Sequence, residues 1–155
     1  MPREDPDAGG SGPRDRVVVG VDGSGASMDA LRWAVAQASS RGLTLEIVHV
    51  RVVRKVVSEL IVGAEAEEEE ILEQAVATAR ALAPDLEVHG YLEDPPAAGR
   101  LVEASRGAAL LVVGSRGLGG FKELMLGSVS QQCVHHAHCP VLVVRPEPEV
   151  PARPD

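Results

Sequence analysis

The sequence predicts a single α/β domain: an open parallel five-stranded sheet with helices on both faces, Rossmann-like in build. Three observations point there. Short β-branched apolar runs recur along the chain, and they do not alternate polar with apolar, as expected of strands covered on both faces. Segments with apolar residues at helical spacing separate them. Glycine, proline and Asx/Ser clusters fall between the two kinds of segment. Strands that alternate with helices in this way form parallel sheets through right-handed crossovers.

The first strand is Arg16 to Val21, closed by Asp22-Gly23-Ser24. A helix follows, with Ser24 or Ser27 as N-cap and Leu31, Ala34, Val35 and Ala38 on one face, and Gly42 ends it. Leu43 to Val50 forms the second strand. Arg51 to Gly63 has no clear period and is expected to be a long connection. The next helix, from about Ala64 to Ala83, buries Leu72, Ala75, Ala79 and Leu82. Its glutamates (Glu65 and Glu67 to Glu70) form a solvated face near the N-terminus, where the helix dipole favours anions. Leu86 to Leu92 is the third strand. Asp94 and Pro95 supply an N-cap and a first helical residue for a short helix through Ser105, with Gly107 as its stop. Ala109 to Val113, a helix from Ser128 to His136, and the strand Val141 to Val144 complete the pattern. Trp33 and Tyr91 are expected to be packing residues.

Residues 1–15 and 147–155 are rich in proline and charge and are expected to be a disordered tail and a Pro-rich tail around a domain of residues 16–146. The 155 residues suffice for a self-supporting core. No apolar run reaches the roughly 20 residues of a membrane span, and the N-terminus has no signal-like apolar stretch, so a cytoplasmic protein is expected. The net charge of -8 argues against nucleic acid as the main partner, since phosphate binding is driven by Lys and Arg. Aromatic residues are 2% of the chain, which leaves no stacking platform for single strands. An anionic ligand would have to be held locally, by backbone N–H groups and a few cations.

Open α/β sheets bind ligands beyond the carboxyl ends of their strands. Two loops qualify, Gly20 to Ser24 after the first strand and Gly114 to Ser128 after the fourth. The second has phosphate-cradle chemistry. Its glycines let successive N–H groups approach an anion, Gly127-Ser128 opens a helix whose N-terminal N–H groups favour phosphate, and Arg116 and Lys122 add positive charge. Ser128 and Gln131 also form the S-x-x-Q pattern of a capping box, a purely structural use of the same residues. Asp22-Gly23-Ser24 likewise reads equally as a plain turn with Asp22 bonding its own backbone. Neither the P-loop G-x-x-x-x-G-K-[ST] nor a correctly spaced G-x-G-x-x-G is present.

What the loop does match is G-x2-G-x9-G-[ST], at Gly114, Gly117, Gly127 and Ser128. This resembles the ATP-binding signature of the universal stress protein family. The likeness spans Val17 to Arg145, through Val18-Val19-Gly20-Val21-Asp22-Gly23-Ser24, Val48-His49-Val50, and the closing stretch from Gly127 through His136-Ala137-His138-Cys139-Pro140. The resemblance implies strand order 3-2-1-4-5 and an ATP site between the first and fourth strands, with or without Mg2+. It implies that Asp22 lies by the adenosine, accepting from the ribose, that Val50 bonds adenine through its backbone, and that Gly20 belongs to the same ATP-binding set. Gly114 and Gly117 would lie against ribose and phosphates, and Gly127, Ser128 and Val129 would cradle the phosphate chain; Ser115, Arg116, Leu118, Gly119, Gly120 and Ser130 complete the expected ATP-binding set. Ala109 departs from an Asp common in the family, at the end of the strand remote from the site. The resemblance also points to a two-fold homodimer through Val141, Leu142, Val143 and Val144, an apolar edge that invites pairing.

Cys133, His135, His136, His138 and Cys139 have the look of a zinc cluster. The resembling family, however, carries His-Ala-x-Cys-Pro as a packed helix-to-strand turn. No paired base and nucleophile emerges at a recognisable spacing. The expected function is a nucleotide-dependent regulator of the stress response, with a slow ATPase or phosphotransferase as the alternative. Ser128 and Ser130 could then contact phosphate or Mg2+, or be modified.

Overall fold

The computed structural model describes residues 14–52, 61–116 and 126–146, backbone alone at 61–64. Its elements are β1 (Arg16–Val21), α1 (Gly25–Arg41), β2 (Thr44–Val50), α2 (Ile61–Leu82), β3 (Val88–Glu93), α3 (Ala97–Ala104), β4 (Leu110–Gly114), α4 (Ser128–His136) and β5 (Val141–Val144). All four strand pairings are parallel, and the sheet order is β3-β2-β1-β4-β5. The predicted fold class and strand order therefore stand. The tails outside residues 14–146, most of the 51–63 connection and Gly117 to Gly120 lie outside the described residues.

The strands are apolar on both sides because each side meets helices. Val17, Val19, Val21, Leu45 and Ile47 pack under α1 and α2 with Leu31, Val35, Ala75 and Ala79. Val18, Val48, Leu111 and Val113 pack on the other face with Leu101, Ala104 and Cys133 of α3 and α4. Glycine serves packing on both faces. A Cβ on Gly20 would sit 2.9 Å from the Leu101 side chain, and one on Gly90 would sit 2.8 Å from that of Val76. At the end remote from the candidate site, Arg16 donates to the carbonyls of Ala104, Arg106 and Gly107 and pairs with Glu46 at 3.3 Å. A cation at the C-terminus of α3 complements its dipole and satisfies carbonyls the helix leaves open.

Ser24 is the N-cap of α1, accepting from the Ser27 N–H at 3.2 Å, and Gly42 ends the helix with φ 65. Five details differ from the sequence reading. Asp94 does not cap α3: its carboxylate is 2.8 Å from Arg51 and its carbonyl accepts from Arg100, so the N-cap is Pro96, after a cis Pro95–Pro96 bond. α2 starts at Ile61, which leaves no acidic residue in its first turn. Leu82, its last residue, is 52% exposed rather than buried. Trp33 lies outside the Ala30, Leu31, Ala34, Val35, Ala38 stripe and is 54% exposed, so it is no packing residue. Glu68 leaves the solvated face and is 6% exposed.

Candidate functional site

β1 and β4 are neighbours in the sheet, yet their following helices cover opposite faces, so the loops leaving them diverge around a crevice. Both strands end two residues past the Val19–Val112 pair, which brings Asp22 and Ser115 to the same level. Asp22 makes the plain turn: its Oδ1 accepts from the Ser24 N–H at 2.9 Å, and its own N–H donates to the Ser27 hydroxyl at 3.2 Å. Gly23 has φ 84, a left-handed conformation that only glycine adopts without strain. Val50, the last residue of β2, lies beside Glu93 of β3.

The two ends of the glycine segment are tied together. The Ser115 N–H donates to the Val144 carbonyl at 2.8 Å, and its carbonyl accepts from the Gly127 N–H at 2.7 Å. The Ser130 hydroxyl donates to the Gly114 carbonyl. The Gly127–Ser115 and Ser130–Gly114 bonds seat the start of α4 on the carboxyl end of β4, and the Ser115–Val144 bond ties that end to β5. The three bonds also engage Ser115 N–H, Gly127 N–H and the Ser130 hydroxyl with protein groups. The donors offered at the helix start are then the N–H groups of Ser128, Val129 and Ser130, for which a first turn supplies no intrahelical acceptor. Three N–H groups and the positive end of a helix dipole fit one phosphate.

The capping box is not formed. Gly127, not Ser128, is the N-cap, and no side chain caps the helix. Ser128 is the first helical residue and is exposed, so Gln131 is offset by one position from capping-box spacing. On Gly114 a Cβ would lie 3.2 Å from the Ala26 carbonyl oxygen, so its bare backbone also lets α1 approach β4. Arg116 is half-buried at the loop's start.

Sequence reasoning missed a buried pair beside the crevice. His49 is 1% exposed; its Nδ1 lies 2.7 Å from the Val21 carbonyl oxygen and its Nε2 meets Glu68 Oε2. Glu68 Oε1 accepts from the Val52 N–H at 3.4 Å. A carbonyl only accepts, so Nδ1 carries a proton, and a further proton lies between Nε2 and the carboxylate. The signal was present in the sequence: His49 sits in an apolar strand, and Glu68 shares a helical stripe with Leu72, Ala75 and Ala79.

Among the described residues no three His, Cys, Asp or Glu side chains come together as metal ligands. His135, His136 and His138 are exposed, whereas Cys133 points into the core. Burial pushes the Cys133 thiol up to about 11 from 9.0. The unfolded chain therefore ionises first, so this group's contribution is constant below pH 9 and is lost as pH rises towards 11. Urea titrations from pH 8 to 11 are expected to show the wild type losing about 2 kcal/mol more than Cys133→Ala over that window.

No helix among the described residues is long and apolar enough to cross a membrane. A curated universal stress protein of Mycolicibacterium smegmatis is 39% identical over 135 residues, which cover 84% of this chain and 45% of that protein. The chain spans about half the length of the curated relatives it matches. A universal stress protein solved in complex with cAMP superposes with a TM-score of 0.67 at 26% identity, covering 84% of this chain and 96% of that one. The dAMP complex of the universal stress protein from Archaeoglobus fulgidus has the same fold, at a TM-score of 0.65 and 24% identity over 84% and 97% of the two chains. The model of the universal stress protein family matches residues 13–145, and this chain belongs to that family.

Proposed function

We propose that the chain binds an adenine nucleotide, ATP foremost, in the crevice between β1 and β4, and acts in the cytoplasm as a nucleotide-dependent regulator through a β5-paired homodimer. The observation that carries this reading is the seating of α4 on β4. The Gly127–Ser115 and Ser130–Gly114 bonds hold three first-turn N–H groups at the carboxyl end of the sheet, where its strand order reverses. The cAMP bound to a relative that is 26% identical over most of its length supports an adenine ligand. In this reading Ser128, Val129 and Ser130 hold phosphate through backbone N–H groups, and Gly114 to Gly120 lie over the ribose and phosphates. Asp22, tied into its turn through Oδ1, accepts from a ribose hydroxyl, and Val50 offers its backbone to adenine. Mg2+, where it accompanies ATP, offsets charge on the phosphates. Arg116 adds a cation near the same anion.

Native mass spectrometry of the purified protein, with calorimetry against ATP, ADP, AMP and cAMP, tests this reading. A stoichiometric adenine nucleotide and a saturable heat are the expected results. A bare protein mass together with no heat from any of the four overturns it.

A further inference from the structure

We propose that His49 and Glu68 are positioning residues for an adenine nucleotide, forming a proton-bridged clamp that holds the adenosine end of the site in shape; this rests on the nucleotide reading above.

The clamp has three anchors on the rim of the crevice. His49 donates from Nδ1 to the carbonyl of Val21, the residue before Asp22. Glu68 receives His49 on one carboxylate oxygen and the Val52 N–H, at 3.4 Å, on the other. Val50 is thus held between His49 and Val52, and Asp22 directly follows a fixed carbonyl. One turn after Glu68, Ile71 lies over the same turn, close enough that a Cβ on Gly23 would be 3.3 Å from it. A single helix therefore grips the exits of both strands that supply the candidate adenosine contacts.

Tight packing alone does not call for such a pair. Well-packed apolar side chains commonly stabilise a core at least as well as a buried ion pair. Directed hydrogen bonds instead fix where a backbone carbonyl and N–H sit, and a preformed site loses less freedom when ligand arrives. Removing one member leaves a polar atom unpaired in a site only 1% exposed, and the strand exits relax to satisfy it.

The chemistry allows the bridge to be kept without its charge. In Glu68→Gln, the amide N–H donates to a neutral His49 Nε2 and the amide oxygen still accepts from Val52, while Nδ1–H stays on Val21. Glu68→Ala deletes both bonds. Calorimetry with ATP, adenosine and inorganic tripolyphosphate then separates the two halves of the site, at a temperature where circular dichroism shows every variant folded. Glu68→Ala is expected to weaken ATP and adenosine by about tenfold and leave tripolyphosphate within about twofold, while Glu68→Gln stays within about threefold throughout. Should Glu68→Ala not fold, Glu68→Asp withdraws the carboxylate by one methylene and is expected to show the same pattern. Unchanged adenosine affinity in Glu68→Ala overturns the clamp. So does a parallel loss for all three ligands, which marks general loosening, or a Glu68→Gln as weak as Glu68→Ala. A wild type that binds neither ATP nor adenosine overturns the nucleotide reading itself, and the clamp with it.

Discussion

Gly127→Glu is expected to weaken ATP binding by on the order of a hundredfold, about 2.8 kcal/mol, with no loss of stability. Gly127 is the N-cap of α4, at φ -60 and ψ 158, an extended conformation open to any residue. A glutamate there meets no backbone strain, and its carboxylate lies near the positive end of the helix dipole, which favours the fold by about 0.3–1 kcal/mol. That same carboxylate competes for the N–H groups of Ser128, Val129 and Ser130 and repels a phosphate brought beside it. Adenosine has no phosphate and is expected to bind Gly127→Glu as it binds the wild type. Calorimetry with both ligands, beside a thermal melt, checks the three expectations. Wild-type ATP affinity in the variant would remove the phosphate from the start of α4. A fall in adenosine binding equal to that of ATP would mean that the residue shapes the whole crevice.

The fold was legible because its causes are local. A strand covered on both faces has nowhere to place a polar side chain, so Val17-Val18-Val19 and Leu111-Val112-Val113 are uninterrupted, and both proved to be buried strands. Gly42 was readable as a stop because a left-handed C-cap is where glycine is favoured. What misled was competition between partners distant in sequence. Asp94 looks like a cap until Arg51, which follows the neighbouring strand, takes its carboxylate. Ser128 looks like the head of a capping box until Ser115 draws Gly127 into the cap position. Glu68 looks like one of a run of solvated glutamates, and only its register with Ala75 and Ala79 sets it apart. The glycine segment lies between these cases. Its spacing was visible, but which of its N–H groups face a ligand depends on bonds between residues twelve or more apart.

At β5, alternation of the backbone turns the proposed homodimer into a prediction about two adjacent residues. The Pro140 carbonyl accepts from Leu111 and the Val144 carbonyl from Ser115, at 3.0 and 2.8 Å. A strand presents alternate residues to each side, so Pro140, Leu142 and Val144 address β4 while Val141 and Val143 turn their N–H and C=O groups to the open edge. Val141, Leu142 and Val143 are only half-buried, an apolar edge of the kind that pairs with a second copy. Proline is tolerated at an edge position whose N–H points away from the sheet, and it deletes the donor that a partner strand would use. Val143→Pro is therefore expected to stay folded and to weaken the dimer by on the order of a hundredfold, since two-fold symmetry removes the donor twice. Leu142→Pro, one residue earlier, breaks the β4 ladder instead and is expected to lower the melting temperature steeply whatever the oligomeric state. Sedimentation velocity over a concentration series, with melts of both variants, reads the contrast. A wild type that stays monomeric, or a Val143→Pro that dimerises unchanged, ends the edge-pairing reading. Equal destabilisation by the two prolines would instead show that both N–H groups serve the sheet.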